Sequence, residues 1–301
     1  MAVTADELSS LDLTIWLKSQ SKASLFLRSS QPVISRNIQK VINIFDLSYF
    51  RSNGEFIMES DASMRRLNIE RSLHQELRFH DPNAILRFDA FTRMKSNLTT
   101  KVIRSPWRTA DSSIQSPMLF RKFMDLSIID AYMDFLPEAN SIQDSYASIP
   151  IARYMAYFGV VTNHPLNNKK VEISLSDLTD FPLYFGSPDD FPLTYQAIAD
   201  QGISLYRGER MSRFKYILGL FSNQHYLFPV MPGAQSEFEK NLIDLGIKIP
   251  VELESTLIIK KQFVNSPKLT ILLSAIKSTH KRCKDIYPGW IASLLLSLIH
   301  I

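Results

Sequence analysis

Residues 30–45, Ser30-Gln31-Pro32-Val33-Ile34-Ser35-Arg36-Asn37-Ile38-Gln39-Lys40-Val41-Ile42-Asn43-Ile44-Phe45, constrain the fold of this chain more than any other stretch. Ile34, Ile38, Val41, Ile42 and Phe45 recur at helical spacing and form a single apolar stripe. Ser30 stands where an N-cap belongs, and Pro32 lies in the first turn, where its missing N–H leaves no bond unmade. The opposite face carries Gln31, Ser35, Arg36, Gln39 and Asn43. That set suits the N-terminal half of a helix laid in a major groove: Gln and Asn match adenine, Arg matches guanine, and Ser serves either a base or a phosphate. A plain amphipathic surface helix with a solvated face is the alternative, and the flanking sequence has to decide.

Upstream, Leu8, Leu11 and Ile15 set a first helical stripe that ends near Trp16, and residues 21–27 suit a second short helix before an Arg28-Ser29 turn. Downstream, residues 46–51 and Phe56-Ile57-Met58 read as two short strands around Asn53-Gly54, a hairpin signal. Two short helices, a third with a polar face and a β-wing make a compact winged helix-turn-helix. Arg51 and Asn53 would then reach the DNA backbone or minor groove beside the third helix.

Ser30-Gln31-Pro32-x-Ile34-Ser35-Arg36, with Leu47-x-Tyr49-Phe50-Arg51 after ten intervening residues, resembles the helix-turn-helix of LysR-type transcriptional regulators. The chain departs from the family pattern at Asp46, where glycine is usual, and at Arg51, which comes one position early. Between Lys18 and Ser24 only Ser19 and Ala23 of the usual second-helix residues are kept. The resemblance implies DNA contacts from Ser30, Gln31, Pro32, Ser35, Arg36 and Gln39, with Arg51 and Asn53 on the wing. It also implies a linker helix over residues 61–80 that pairs with a partner's, with Ile69, Leu73 and Leu77 as its apolar contacts. Ile149-Pro150-Ile151, residues 160–166, residues 173–182 and the end around Leu257 to Ser278 resemble the family's effector domain in order and spacing. Between Thr92 and Asp125 the match is poor.

Without the resemblance, residues 85–88, 127–133, 158–161 and 227–230 read as strands. Segments near 117–124, 191–200, 210–221 and 234–245 read as helices, an alternation that argues α/β layers. A chain of 301 residues is long for one core. The expected fold is therefore α/β with an N-terminal winged helix-turn-helix over 1–60, a linker/dimerisation helix over 61–82 and an effector domain over 83–295. By resemblance that domain has two periplasmic-binding-protein-like lobes, crossing near 153 and 250. Open α/β sheets bind ligands beyond the carboxyl ends of their strands. Candidate effector-binding residues are accordingly Phe91, Thr92 and Arg93 after the first strand, Phe135 after the third, and Tyr184 and Phe185 in the second lobe. For Arg93 a solvated loop residue is the plainer reading, and for the aromatics a place in the core.

The net charge of +4 helps approach to DNA but leaves affinity to placed contacts. One cysteine, Cys283, excludes an internal disulfide framework, and Asp6, Glu7 and Asp12 interrupt any signal-peptide pattern, so a cytoplasmic protein is expected. The six histidines are scattered, and neither a Gly-rich phosphate loop nor a zinc-type Cys/His set occurs. Enzymatic activity, a metal and a cofactor are not expected. His280 and Cys283, three apart on a helix, read as a plain surface pair rather than a sensor, and His164 in its His-Pro-Leu turn as structural. The expected partners are double-stranded DNA, a small-molecule effector and further copies of the chain in a homodimer or homotetramer, with no membrane role. The alternative of another class is an effector-binding or protein-interaction module that has lost sequence-specific DNA binding. Residues 296–301, Leu-Ser-Leu-Ile-His-Ile, resemble the translation of a transposon-derived sequencing adaptor and are expected to be an artefact.

Overall fold

Capping decides where the first helices begin. Helix α1 (Ala5–Leu17) opens with a capping box: Glu7 N–H donates to Thr4 Oγ1 at 3.3 Å and Thr4 N–H donates to the Glu7 carboxylate at 2.9 Å. Helix α2 (Gln20–Leu27) follows Ser19, whose Oγ accepts from Lys22 N–H at 3.3 Å. Helix α3 (Gln31–Phe45) carries Pro32 in its first turn. Each helix stops at a left-handed residue that is not glycine: Lys18, Arg28 and Asp46, with φ of 54°, 53° and 53°. The stripe read from the sequence is buried at Ile34, Ile38, Val41 and Phe45 and half-buried at Ile42. Strands β1 (Ser48–Ser52) and β2 (Glu55–Glu59) then pair antiparallel, with Phe50 opposite Ile57 and Ser52 opposite Glu55.

The computed structural model describes residues 2–52, 55–59, 61–90, 106–109, 117–135, 144–168, 172–184, 191–206, 225–230, 241–251, 253–286 and 292–294. Helix α4 (Asp61–His80) occupies the span expected for the linker. After it come β3 (Leu86–Ala90), β4 (Trp107–Thr109), α5 (Pro117–Asp125), β5 (Ala131–Phe135), β6 (Tyr146–Tyr154) and β7 (Tyr157–Val161). The remainder is α6 (Pro192–Ala199), β8 (Phe228–Val230), β9 (Leu242–Lys248), β10 (Leu253–Lys260), α7 (Pro267–Ile286) and β11 (Ala292–Leu294). One sheet has the order β11-β6-β10-β5-β3-β4, in which β3 and β4 run parallel; a second has the order β8-β7-β9, antiparallel throughout. The chain leaves the six-stranded sheet after Tyr154, enters the three-stranded one at Tyr157, and returns between Lys248 and Leu253.

Two sequence expectations are corrected. The strand expected over 127–133 begins only at Ala131, because Ser127 turns left-handed (φ 55°) at the end of α5 and residues 128–130 lead into the strand. Of the helix expected over 234–245, residues 234–240 lie outside the described residues, and from Leu242 the chain is strand β9. Pairing with β7, from Val161 opposite Leu242 to Tyr157 opposite Lys248, decides the matter over any local helical pattern, and Gly246 takes φ 72° within the strand.

The chain forms two compact units. One comprises Met1–Tyr132 and Ile259–Ile276, the other Met133–Ile258 and Lys277–Ile301. In the first unit, Phe79 of α4 stacks on Phe263 at 3.8 Å and meets Trp107 edge-on at 6.1 Å. The Lys268 ammonium donates to the carbonyl oxygens of Arg78 (2.7 Å), Asp81 (2.6 Å) and Ala84 (3.0 Å), satisfying backbone acceptors at the C-terminal end of α4. In the second unit, Val161, Tyr184, Phe228, Val230 and Leu242 form a core cluster flanked by Tyr206 and Tyr226. There the buried ring of His164 accepts from Leu166 N–H at Nδ1 (3.2 Å) and lies 4.5 Å from the Phe181 ring. Burial, with a smaller contribution from His225, pulls the His164 pKa down to about 4.

Candidate nucleic-acid interface

Helix α3 divides its polar residues between two tasks. Asn37 and Lys40 are turned to the module's own packing: the Asn37 amide donates to Ser10 Oγ at 3.0 Å, and Lys40 pairs with Glu7 of α1. That lysine is the first cause holding the Glu7 carboxyl below the ordinary range. Ser30, Gln31, Pro32, Ser35, Arg36 and Gln39 are all exposed. Ser30 has the extended backbone of an N-cap (φ −83°, ψ 150°), yet its side chain makes no cap bond. The Gln39 amide donates to Asn43 Oδ1 at 2.9 Å, one turn further along, which orients the Gln39 head group on the outward face.

The turn that presents α3 is built by Arg28. Its left-handed backbone lets Ser29 N–H reach Ser24 O at 3.0 Å and closes α2 two residues before Ser30. On the wing, Arg51 lies in β1 opposite Phe56, while Asn53 lies outside the described residues. Chemically, the exposed half of α3 offers carboxamides, hydroxyls and one guanidinium on a rigid helix, a set that can bond both base edges and phosphates.

The proposed effector residues are not gathered by the described structure. Phe91, Thr92, Arg93 and Phe185 lie outside the described residues. Phe135 is the last residue of β5. Tyr184, 7% exposed, sits in the core cluster of the second unit, 6.2 Å ring to ring from Phe228.

Sequence reasoning missed a buried polar cluster in the first unit. The stripe of Leu8, Leu11 and Ile15 accounts for one face of α1, but from Ser10 to Leu17 every residue is buried, Asp12 included. Asp12 Oδ1 accepts from Arg71 Nε of α4 at 2.8 Å, with both side chains fully buried, and Asp12 Oδ2 lies 3.4 Å from Arg87 of β3. Arg87 also donates to Ser9 Oγ (2.7 Å) and Ile128 O (3.0 Å), and burial first, then Arg78, lowers its pKa to about 10. Trp16 Nε1 donates to Asp89 Oδ2 at 2.6 Å. Asp130 accepts from Gln75 Nε2 (3.0 Å), Arg87 N–H (2.8 Å) and Arg78 (2.8 Å). Removing one partner of such a pair leaves the other charge buried, at a cost of roughly 3–5 kcal/mol. The available signal was Asp12 itself, a carboxylate inside the apolar run Leu11-Asp12-Leu13-Thr14-Ile15-Trp16-Leu17.

Among the described residues, no group of three or more His, Cys, Asp and Glu could hold a metal ion, and no helix is long and apolar enough to cross a membrane. No family model matches the chain, and no curated protein matches it. Solved structures do. A full-length OxyR variant from Pseudomonas aeruginosa is 15% identical, with 91% of this chain and 98% of that one covered at a TM-score of 0.53. The regulatory domain of MetR, a LysR family regulator from N. meningitidis, is 14% identical over 70% of this chain and 99% of its own, at 0.51. Full-length CbnR in complex with its target DNA is 13% identical over 91% and 98%, at 0.50. At these identities the likeness is one of fold: this chain has the α/β fold of full-length LysR-type regulators.

Proposed function

We propose that the chain is a non-catalytic, sequence-specific DNA-binding transcriptional regulator of the LysR type, cytoplasmic, acting as a homodimer or homotetramer and modulated by a small-molecule effector. The observation that carries this reading is the exposed N-terminal half of α3, where Gln31, Ser35, Arg36 and Gln39 stand clear of the module's packing while Ile34, Ile38, Val41 and Phe45 anchor the opposite face. An apolar row on α4, with Ile69, Leu73 and Leu77 exposed at 67%, 43% and 42%, supplies a seam for a second copy. Two copies would place two reading helices on one duplex and double the phosphate contacts. Thr92 and Arg93 follow β3 in sequence, and their hydroxyl and guanidinium suit a polar or anionic effector. The ligand acts by favouring one arrangement of the subunits over another.

Selection of bound fragments from genomic DNA with purified protein, at a stated salt concentration, tests this reading. Recovery of an inverted repeat is the expected result. Absence of any preference from folded protein would transfer the reading to an effector-binding or interaction module that no longer reads sequence. Arg36→Ala should lose about 1–3 kcal/mol on the recovered site and much less on random DNA, if Arg36 contacts guanine. An equal loss on both would make it a phosphate contact.

A further inference from the structure

The polar face of β3 is matched, residue by residue, to one face of α1. Arg87 and Asp89 are two apart on β3 and so share a side of the strand. Ser9, Asp12 and Trp16 are spaced three and four apart and share a side of α1. Between those two rows run Arg87 to Ser9 (2.7 Å), Arg87 to Asp12 (3.4 Å) and Trp16 to Asp89 (2.6 Å), with Arg71 closing on Asp12 from α4. Asp12, Trp16, Arg71 and Asp89 are fully buried, and Arg87 nearly so. Arg108, opposite Arg87 in the β3–β4 register, extends the match to α2: its guanidinium donates to Phe26 O at 2.8 Å and lies 5.7 Å over the Phe26 ring. Phe26 in turn meets Trp16 edge-on at 5.8 Å.

We infer that this matched face is a rigid joint that fixes the helix-turn-helix directly to the first strand of its own α/β domain, so that Trp16, Asp89, Arg87 and Arg108 position the reading helix. Buried, charge-assisted bonds of this kind tolerate little displacement, because any shift that breaks one strands a charge away from water. A hinge at the linker helix alone would leave α1 free of β3. The joint instead makes α1, α2 and β3 one body, and Asp89 stands two residues before Phe91. A change at the C-terminal end of β3 therefore reaches α1 through the Trp16–Asp89 hydrogen bond. This last consequence rests on the regulator reading above; the joint itself does not.

Native-state hydrogen exchange on the full-length chain, followed by mass spectrometry through a denaturant series, tests the joint. In the wild type, peptides from α1 and from β3 should lose protection in one shared opening. Separate openings, with α1 exchanging while β3 stays protected, would overturn the inference. Trp16→Phe keeps an aromatic ring and removes the indole donor; it should lower protection of α1 at least tenfold relative to β3. Asp89→Leu, which removes the acceptor from the β3 side, should lower the ratio in the same direction. A Trp16→Phe chain in which both elements weaken equally would mark the bond as ordinary core packing and overturn the positioning role. Arg108→Met, at a half-buried site, provides the same comparison for α2 should Trp16→Phe fail to fold. In the DNA arm, Trp16→Phe should lose at least tenfold in affinity for the fragment the wild type selects; an unchanged affinity would overturn the positioning role. Failure of the regulator reading would show separately, as a wild type with no DNA preference but with the shared opening intact.

Discussion

His164 shows what burial does to a single titratable ring. With no exposed surface and Nδ1 committed to Leu166 N–H, its neutral form is favoured and its pKa falls to about 4. In the unfolded chain the ring titrates near 6.5, so between those values the unfolded state binds the extra proton. The stabilisation is therefore complete above about pH 6.5 and is lost as pH falls toward 4. Urea denaturation at pH 7 and pH 4.5 should show a loss of about 2–3 kcal/mol that His164→Phe largely removes. Asp46 presents the opposite case, an exposed residue strained in its backbone. It holds φ 53° to end α3, a conformation glycine adopts without penalty. Asp46→Gly should raise stability by about 0.5–1 kcal/mol, read as a higher melting temperature.

Among elements, β7 is tightly confined at Gly159. It lies between β8 and β9, and a Cβ built on Gly159 would stand 2.1 Å from Val230 Cγ2 and 3.2 Å from Ile243 O. Gly159→Ala should cost about 1–3 kcal/mol in chemical denaturation, with partial recovery on adding Val230→Ala. Elements whose identity rests on their own residues were legible beforehand. Helix α3 has its stripe and Pro32, the wing its Asn53-Gly54, and α4 its unbroken span from Asp61 to His80. Elements decided by a distant partner were not: β9 is a strand because β7 pairs with it, and α1 is buried all round from Ser10 to Leu17 because Arg71 and Arg87 cover its polar side. The candidate DNA face was readable because exposed polar residues on an amphipathic helix declare themselves by spacing. The joint beneath it was not, since a lone Asp12 does not say which arginines, 59 and 75 residues away, will meet it.

For the whole molecule, the same dependence on distant partners governs assembly. The exposed row Ile69, Leu73 and Leu77 belongs to a helix whose other side carries buried Leu67, Glu70, Arg71, His74 and Gln75. A charge placed in that row should disturb association without touching the core. Leu73→Lys should move the sedimentation mass from dimer or tetramer toward monomer and abolish any dependence of the melting temperature on protein concentration. An unchanged mass would remove this row from the subunit seam. The Lys268 ammonium that gathers the carbonyls of Arg78, Asp81 and Ala84 adds a consequence in time. The end of α4 is completed by a residue made 184 to 190 positions later. On the ribosome, where chain grows from the N-terminus at roughly 5–20 residues per second, α4 must wait many seconds for its last bonds. A nascent chain would therefore carry a finished α3 well before the end of α4 is closed.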